Sequence, residues 1–176
     1  LYHLIPDIIY QKINQMKKLF LLFLIASQSA FADIIDDLEV LAKEAREIYS
    51  PNLEYKLPEI VFINGKEINI QVCGGNCPPD FHVIGLYSNG KIFLRDTWDA
   101  QDDFNASYFV HEFVHHLQFL DGTIVPGNKG TCIENARTEF VAYSVQNQWL
   151  MRRGKGIPHR MIHELSFVSA GCSPDN

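Results

Sequence analysis

Two histidines four residues apart with a glutamate beside the first, His111-Glu112-Phe113-Val114-His115, can together hold a metal ion and move a proton. On a helix, positions i and i+4 lie on one face, one above the other, so both imidazoles can reach a single zinc ion at about 2.0 to 2.1 Å. Glu112 sits beside that face. From there its carboxylate can take a proton from a zinc-activated water and later pass it to a leaving amine. The motif predicts a zinc-dependent hydrolase in which His111 and His115 are metal ligands and Glu112 is the catalytic base.

A catalytic zinc needs a third protein ligand and an open position. Asp121, Glu134 and Glu139 compete for the role. Asp121 lies six residues after His115, the offset of metzincin-like sites, but those need a glycine three residues after the second histidine, where this chain has Gln118. Asp121 reads better as a helix end. Glu134 and Glu139 are separated by about 140° around a helix, so both cannot face one ion. Glu134 falls in a first turn, where the helix dipole alone favours a carboxylate. Glu139 is mid-helix, with the small Ala142 one turn on to let two helices approach, and is the expected third ligand. Tyr143, one turn beyond Glu139, and His163 are candidates to donate a hydrogen bond to the oxyanion of a hydrated carbonyl. Arg137 could orient Glu139 or be a solvated helix charge. His116 points about 100° away from His115 and reads as structural, while His82 and His159 have no partner that the sequence identifies.

These groups need elements to carry them. Val110, Val114 and Leu117, with Phe113 and Leu120 beside them, repeat at helical spacing over Asp102 to Leu120, and Asp121-Gly122 supplies a stop. A second helix is expected from about Cys132 to Arg153, and a short last one from Pro158 to about Phe167. Upstream, Ile34 to Tyr49 is amphipathic and ends at Ser50-Pro51-Asn52. Between these helices, Glu59 to Asn64 and Glu67 to Val72 flank Asn64-Gly65, and His82 to Tyr87 and Lys91 to Arg95 flank Ser88-Asn89-Gly90. Both pairs read as hairpins. The expected fold is α+β: an N-terminal helix, a four-stranded antiparallel meander, then the HExxH helix, the Glu139 helix and a short C-terminal helix. Ile92 and Leu94 either border a substrate cleft at a sheet edge or fill core.

HExxH on one helix and Glu139-Phe140-Val141-Ala142 on the next resemble the gluzincin metallopeptidases, whose downstream E-x-x-A glutamate is the third zinc ligand. The run Asn135 to Ala142 is also similar to the membrane-embedded zinc peptidases of the prenyl-protein-processing and heat-shock type. Those continue with Asp, where this chain has Tyr143, and have transmembrane helices that it lacks. The resemblance spans roughly residues 91 to 146 and extends to small exported bacterial minigluzincin-like proteins. It implies a zincin-like core, bound zinc, and an edge strand before the metal helix that pairs with a peptide or protein substrate.

At the N-terminus, Met16-Lys17-Lys18, the apolar run Leu19 to Ala26 and the small-x-small Ala30-Phe31-Ala32 follow the order of a signal peptide, and the run is too short to span a bilayer. Residues 1–15 read as an upstream extension, 16–32 as the signal peptide and 33–176 as one metallopeptidase domain, periplasmic or secreted, with no lasting membrane anchor. Cleavage after Ala32 removes Lys12, Lys17, Lys18 and Asp7 and takes the net charge from −6 to −8. No Lys/Arg cluster breaks that acidic balance, which argues against nucleic acid as a partner. At 47% hydrophobic and 20% charged, the chain is neither disordered nor a polytopic membrane protein. Exported cysteines pair. Cys73 with Cys77, across Gly74-Gly75-Asn76, and Cys132 with Cys172 are the preferred bridges, the second contributing roughly 3 to 4 kcal/mol in the chain-entropy model. Two other functions share these features: a catalytically silent, disulfide-stapled binding module on a zincin scaffold, and a hydrolase of cell-wall amides.

Overall fold

A computed structural model of the chain describes residues 33–76, 83–125 and 130–156. The expected signal peptide, His82, His159, His163 and the helix from Pro158 lie outside these residues. The chain divides into two units, Leu1–Leu38 and Glu39–Asn176. Of the first, the described residues are 33–38, the opening turns of a helix that spans 33–49 (α1). In the second, the elements that follow are β1 (Glu59–Ile63), α2 (Gly65–Cys73), β2 (Gly85–Ser88), β3 (Lys91–Arg95), α3 (Asp103–Leu120) and α4 (Cys132–Arg152). The class is α+β, and no helix among the described residues is long and apolar enough to cross a membrane.

The sheet differs from the expected four-stranded antiparallel meander. It has three strands in the order β1-β3-β2 and is mixed: β2 and β3 pair antiparallel, β1 and β3 parallel. The second expected hairpin is present. Asn89 and Gly90 both have positive φ, 51° and 77°, as a two-residue turn matched to strand twist requires. The first expected hairpin is absent, because residues 67–72 are helical. Asn64 caps α2 rather than turning a hairpin. Its side chain accepts from the Lys66 and Glu67 amides, both at 3.0 Å, and Glu67 returns a bond to the Asn64 amide at 3.3 Å. This reciprocal capping box outweighs the alternation of Ile68, Ile70 and Val72, of which only Ile68 is buried. With that segment removed from the sheet, β1 pairs directly with β3. The strand β3 is therefore central, and Ile92 and Leu94 are wholly buried core residues rather than the border of a cleft.

The two helices that carry the motif residues begin at caps. Asp102 accepts from the Asn105 amide at 2.8 Å to open α3. Thr131 and Glu134 form a second capping box at α4, with bonds of 3.2 and 2.7 Å. α3 packs on β2, β3 and α4, burying Phe109, Val110, Phe113, Val114 and Leu117. The last turns of α4 are latched to α1: the Trp149 indole N–H and an Arg153 guanidinium N–H both donate to Glu44 Oε2 at 2.8 Å. Cys73 and Cys132 are disulfide-bonded; Cys77 and Cys172, their expected partners, lie outside the described residues.

Candidate metal centre

His111 and His115 stand one turn apart on the side of α3 that faces α4, and Glu139 approaches from α4. The two Nε2 atoms are 3.2 Å apart. The Glu139 carboxylate spans them, with Oε2 at 3.3 Å from His111 Nε2 and Oε1 at 3.3 Å from His115 Nε2. Donors held 2.0 to 2.1 Å from one tetrahedral ion stand about 3.3 to 3.4 Å from one another. The three residues thus present a His₂Glu donor set at a spacing that suits one tetrahedral ion, and they are the group among the described residues that could hold a metal ion. Ala142 is fully buried one turn beyond Glu139, the small contact that lets α4 come this close.

Electrostatics bind the same three groups together. Burial alone pulls the His115 pKa down, but the hydrogen bond and charge of Glu139, then Glu112 and Gln118, outweigh it and raise the imidazole from 6.5 to about 9. Burial pushes Glu139 up, and the hydrogen bonds and charges of His111 and His115 reverse that, holding its carboxyl well below the usual carboxylate range. In the metal-free protein His115 and Glu139 thus favour each other's charged form at the place where a cation fits.

Gln118 was legible in the sequence only as the residue standing where a metzincin glycine would be. In the fold it is wholly buried and joins α3 to α4. Its Nε2 donates to the Thr138 carbonyl at 2.9 Å, so its Oε1 is the acceptor toward His115 Nδ1, also at 2.9 Å. His115 must then carry a hydrogen on Nδ1 whether or not it is charged, so the proton that a metal would displace is the one on Nε2. A polar residue one turn after a candidate ligand histidine, between Leu117 and Phe119, is the signal the sequence carries. Farther along the same seam, Gln146 Nε2 donates to Ser107 Oγ at 2.9 Å. His111 Nδ1 is buried without a hydrogen-bond partner.

Glu112 points to the sheet side of the motif, where its Oε2 accepts from the Tyr87 amide on β2 at 2.7 Å. Tyr143 is half-buried with its ring 4.3 Å from that of His111, adjacent to the triad. His116 is structural, as its direction suggested. Its Nε2 bonds the Lys56 carbonyl at 3.0 Å, its Nδ1 lies 3.4 Å from the Tyr87 hydroxyl, and burial lowers its pKa. The rejected ligands have other employment. Asp121 caps α3 and accepts from the Tyr49 hydroxyl at 2.6 Å. Glu134 is bound to the Thr131 amide, which with the Thr131 side chain lowers its pKa. Arg137 is exposed, and its charge acts on Glu134. Beside His115 and Glu139 opens a cleft of about 620 Å³, whose walls include Tyr87, Phe119, Ile124, Val125, Asn135 and Thr138.

Residues 28–176 match the family described as a domain of unknown function, DUF6647, and the chain belongs to that family. No curated protein and no solved structure matches it.

Proposed function

We propose that the protein is an exported zinc-dependent metallopeptidase with a zincin-like core. The observation that carries this reading is the convergence of His111, His115 and Glu139 from two helices at 3.2 to 3.3 Å, with the Glu112 carboxylate one residue from the first ligand. The donor set fits zinc, whose usual partners are imidazole and carboxylate at this separation. A zinc ion held there would polarise a peptide carbonyl and bring the pKa of a water down toward about 7.

The chain's own residues supply the rest. Gln118 fixes the His115 tautomer and ties its position to α4. Glu112, buried to 8% exposure, is the group placed to accept a proton on the sheet side of the ligands and to return it to a leaving amine. Tyr143, against the His111 ring, is the proposed oxyanion donor, with His163 as the second candidate. The cleft beside His115 and Glu139 offers a peptide side chain a lining of aromatic, aliphatic and neutral polar groups. Export rests on the signal-like segment 16–32 and agrees with the disulfide bonding of Cys73 and Cys132.

The test is turnover of a fluorescence-quenched peptide library by zinc-loaded protein beside Glu112→Gln. Wild type is expected to cleave, and the variant to hold the same zinc while losing at least about 100-fold in rate. Equal turnover in the two would refute the role of Glu112. Cleavage of muropeptides with none of the peptide library would move the assignment to cell-wall amides, and zinc binding without either would leave the binding module.

A further inference from the structure

The carboxylate of Glu112 is seated on the edge of β2 that faces away from β3, and the seat depends on a missing side chain. In the β2–β3 pair the Ile84 carbonyl accepts from the Arg95 amide at 2.8 Å. By the alternation of an antiparallel ladder, Gly85 and Tyr87 then turn their N–H groups away from β3, toward α3. Tyr87 uses its N–H on Glu112 Oε2 at 2.7 Å, a charge-assisted bond that selects one orientation of the carboxylate. Gly85 lies two residues earlier on the same edge. A methyl group there would stand 2.8 Å from Glu112 Cγ, 3.4 Å from Oε1 and 3.6 Å from Cδ, and these three atoms are its nearest neighbours. The atom met first is the methylene next to Glu112 Cβ, on a helix whose backbone is packed. Relief therefore requires rotation of the Glu112 side chain, which swings the carboxylate off the Tyr87 amide. Gly85 has no left-handed backbone to explain it, so close approach is its use.

We propose that Gly85 is a positioning residue: its lack of a side chain, with the Tyr87 N–H, holds Glu112 in the orientation from which it acts as base. The proposal takes its catalytic meaning from the peptidase reading, but the seat itself can be measured without turnover.

The experiment follows the Tyr87 amide resonance in ¹⁵N-labelled, zinc-loaded full-length protein. In wild type that amide proton should lie downfield, and Glu112→Gln should shift it upfield. Gly85→Ala should shift it upfield by a comparable amount with zinc content unchanged. On any peptide that wild type cleaves, kcat should fall about 10- to 100-fold with KM within about twofold. A Tyr87 amide that keeps its wild-type position in Gly85→Ala would overturn the proposal, and so would loss of zinc from that variant. If Gly85→Ala does not fold, Gly85→Ala combined with Glu112→Ala decides. Recovery of folding in the double variant supports the seat, because the side chain that the methyl meets is gone; failure to recover overturns it. A wild-type protein that cleaves no peptide would sink the peptidase reading and leave the amide measurement to judge the seat.

Discussion

On one side of α3, Phe109 and Phe113 stack with centroids 5.7 Å apart and meet Trp98 and Tyr55; on the other, Ser107, His111, His115 and Gln118 face Gln146, Glu139 and Thr138 of α4. Both sides are buried, yet they do different physical work. The aromatic side gains from non-directional removal of apolar area, which tolerates small shifts. The α4 side is a row of hydrogen bonds and charges that close in one helix register only, and an unpaired buried group there would cost about 1 to 3 kcal/mol. The aromatic side holds the helix in place, and the polar seam sets where the His111, His115 and Glu139 side chains meet.

If that division is right, the two sides can be damaged separately. Phe113→Ala should have the largest effect, a loss of about 3 to 5 kcal/mol in denaturant unfolding, while the zinc affinity of the folded protein stays within about twofold. A large drop in affinity would show that the aromatic side also positions the site. Gln118→Leu should do the reverse. It takes the acceptor from His115 Nδ1, leaving that buried donor unpaired and the ring free to turn, so zinc affinity should fall about 10- to 100-fold by competition with a chelator, with a stability loss of about 1 to 3 kcal/mol. Unchanged affinity would remove Gln118 from the site.

A smaller effect should appear with pH in the metal-free protein. His115 has a folded pKa raised from 6.5 to about 9, so its contribution to stability is complete below pH 6.5 and is lost as pH rises through about 9. Glu139 is depressed from 4.5, so its contribution is present above pH 4.5 and is lost as pH falls below that. Thermal unfolding midpoints should therefore decline from pH 6.5 toward 9.5, and Glu139→Gln should flatten that decline. A wild-type midpoint that rises over this range would contradict the coupling of His115 to Glu139.

The polar side of α3 was largely readable in advance, and the sheet was not. The spacing of His111, Glu112 and His115 is local, and α3 itself starts at Asp102, whose side chain caps it, and stops at Asp121-Gly122, where Gly122 takes a φ of 82°. Helical geometry lets only one of Glu134 and Glu139 face the ion, and the first-turn place of Glu134, with the small Ala142 one turn beyond Glu139, favours Glu139. The pairing of β1 with β3 is non-local and leaves no periodic trace. At 67–72 two local signals conflicted: alternating isoleucines favoured a strand, while Asn64 and Glu67, three apart, could close a capping box, and the box prevailed. The use of Gly85 depends on which strand faces Glu112, so it became visible only with the sheet order.

The central claim is that a metal is shared between two helices through Glu139. Its most direct test is metal analysis by mass spectrometry of the purified full-length protein beside Glu139→Ala and Glu134→Ala. Wild type and Glu134→Ala should each hold about one zinc per chain, and Glu139→Ala should hold far less. Full zinc in folded Glu139→Ala, or its loss in Glu134→Ala alone, would contradict the account.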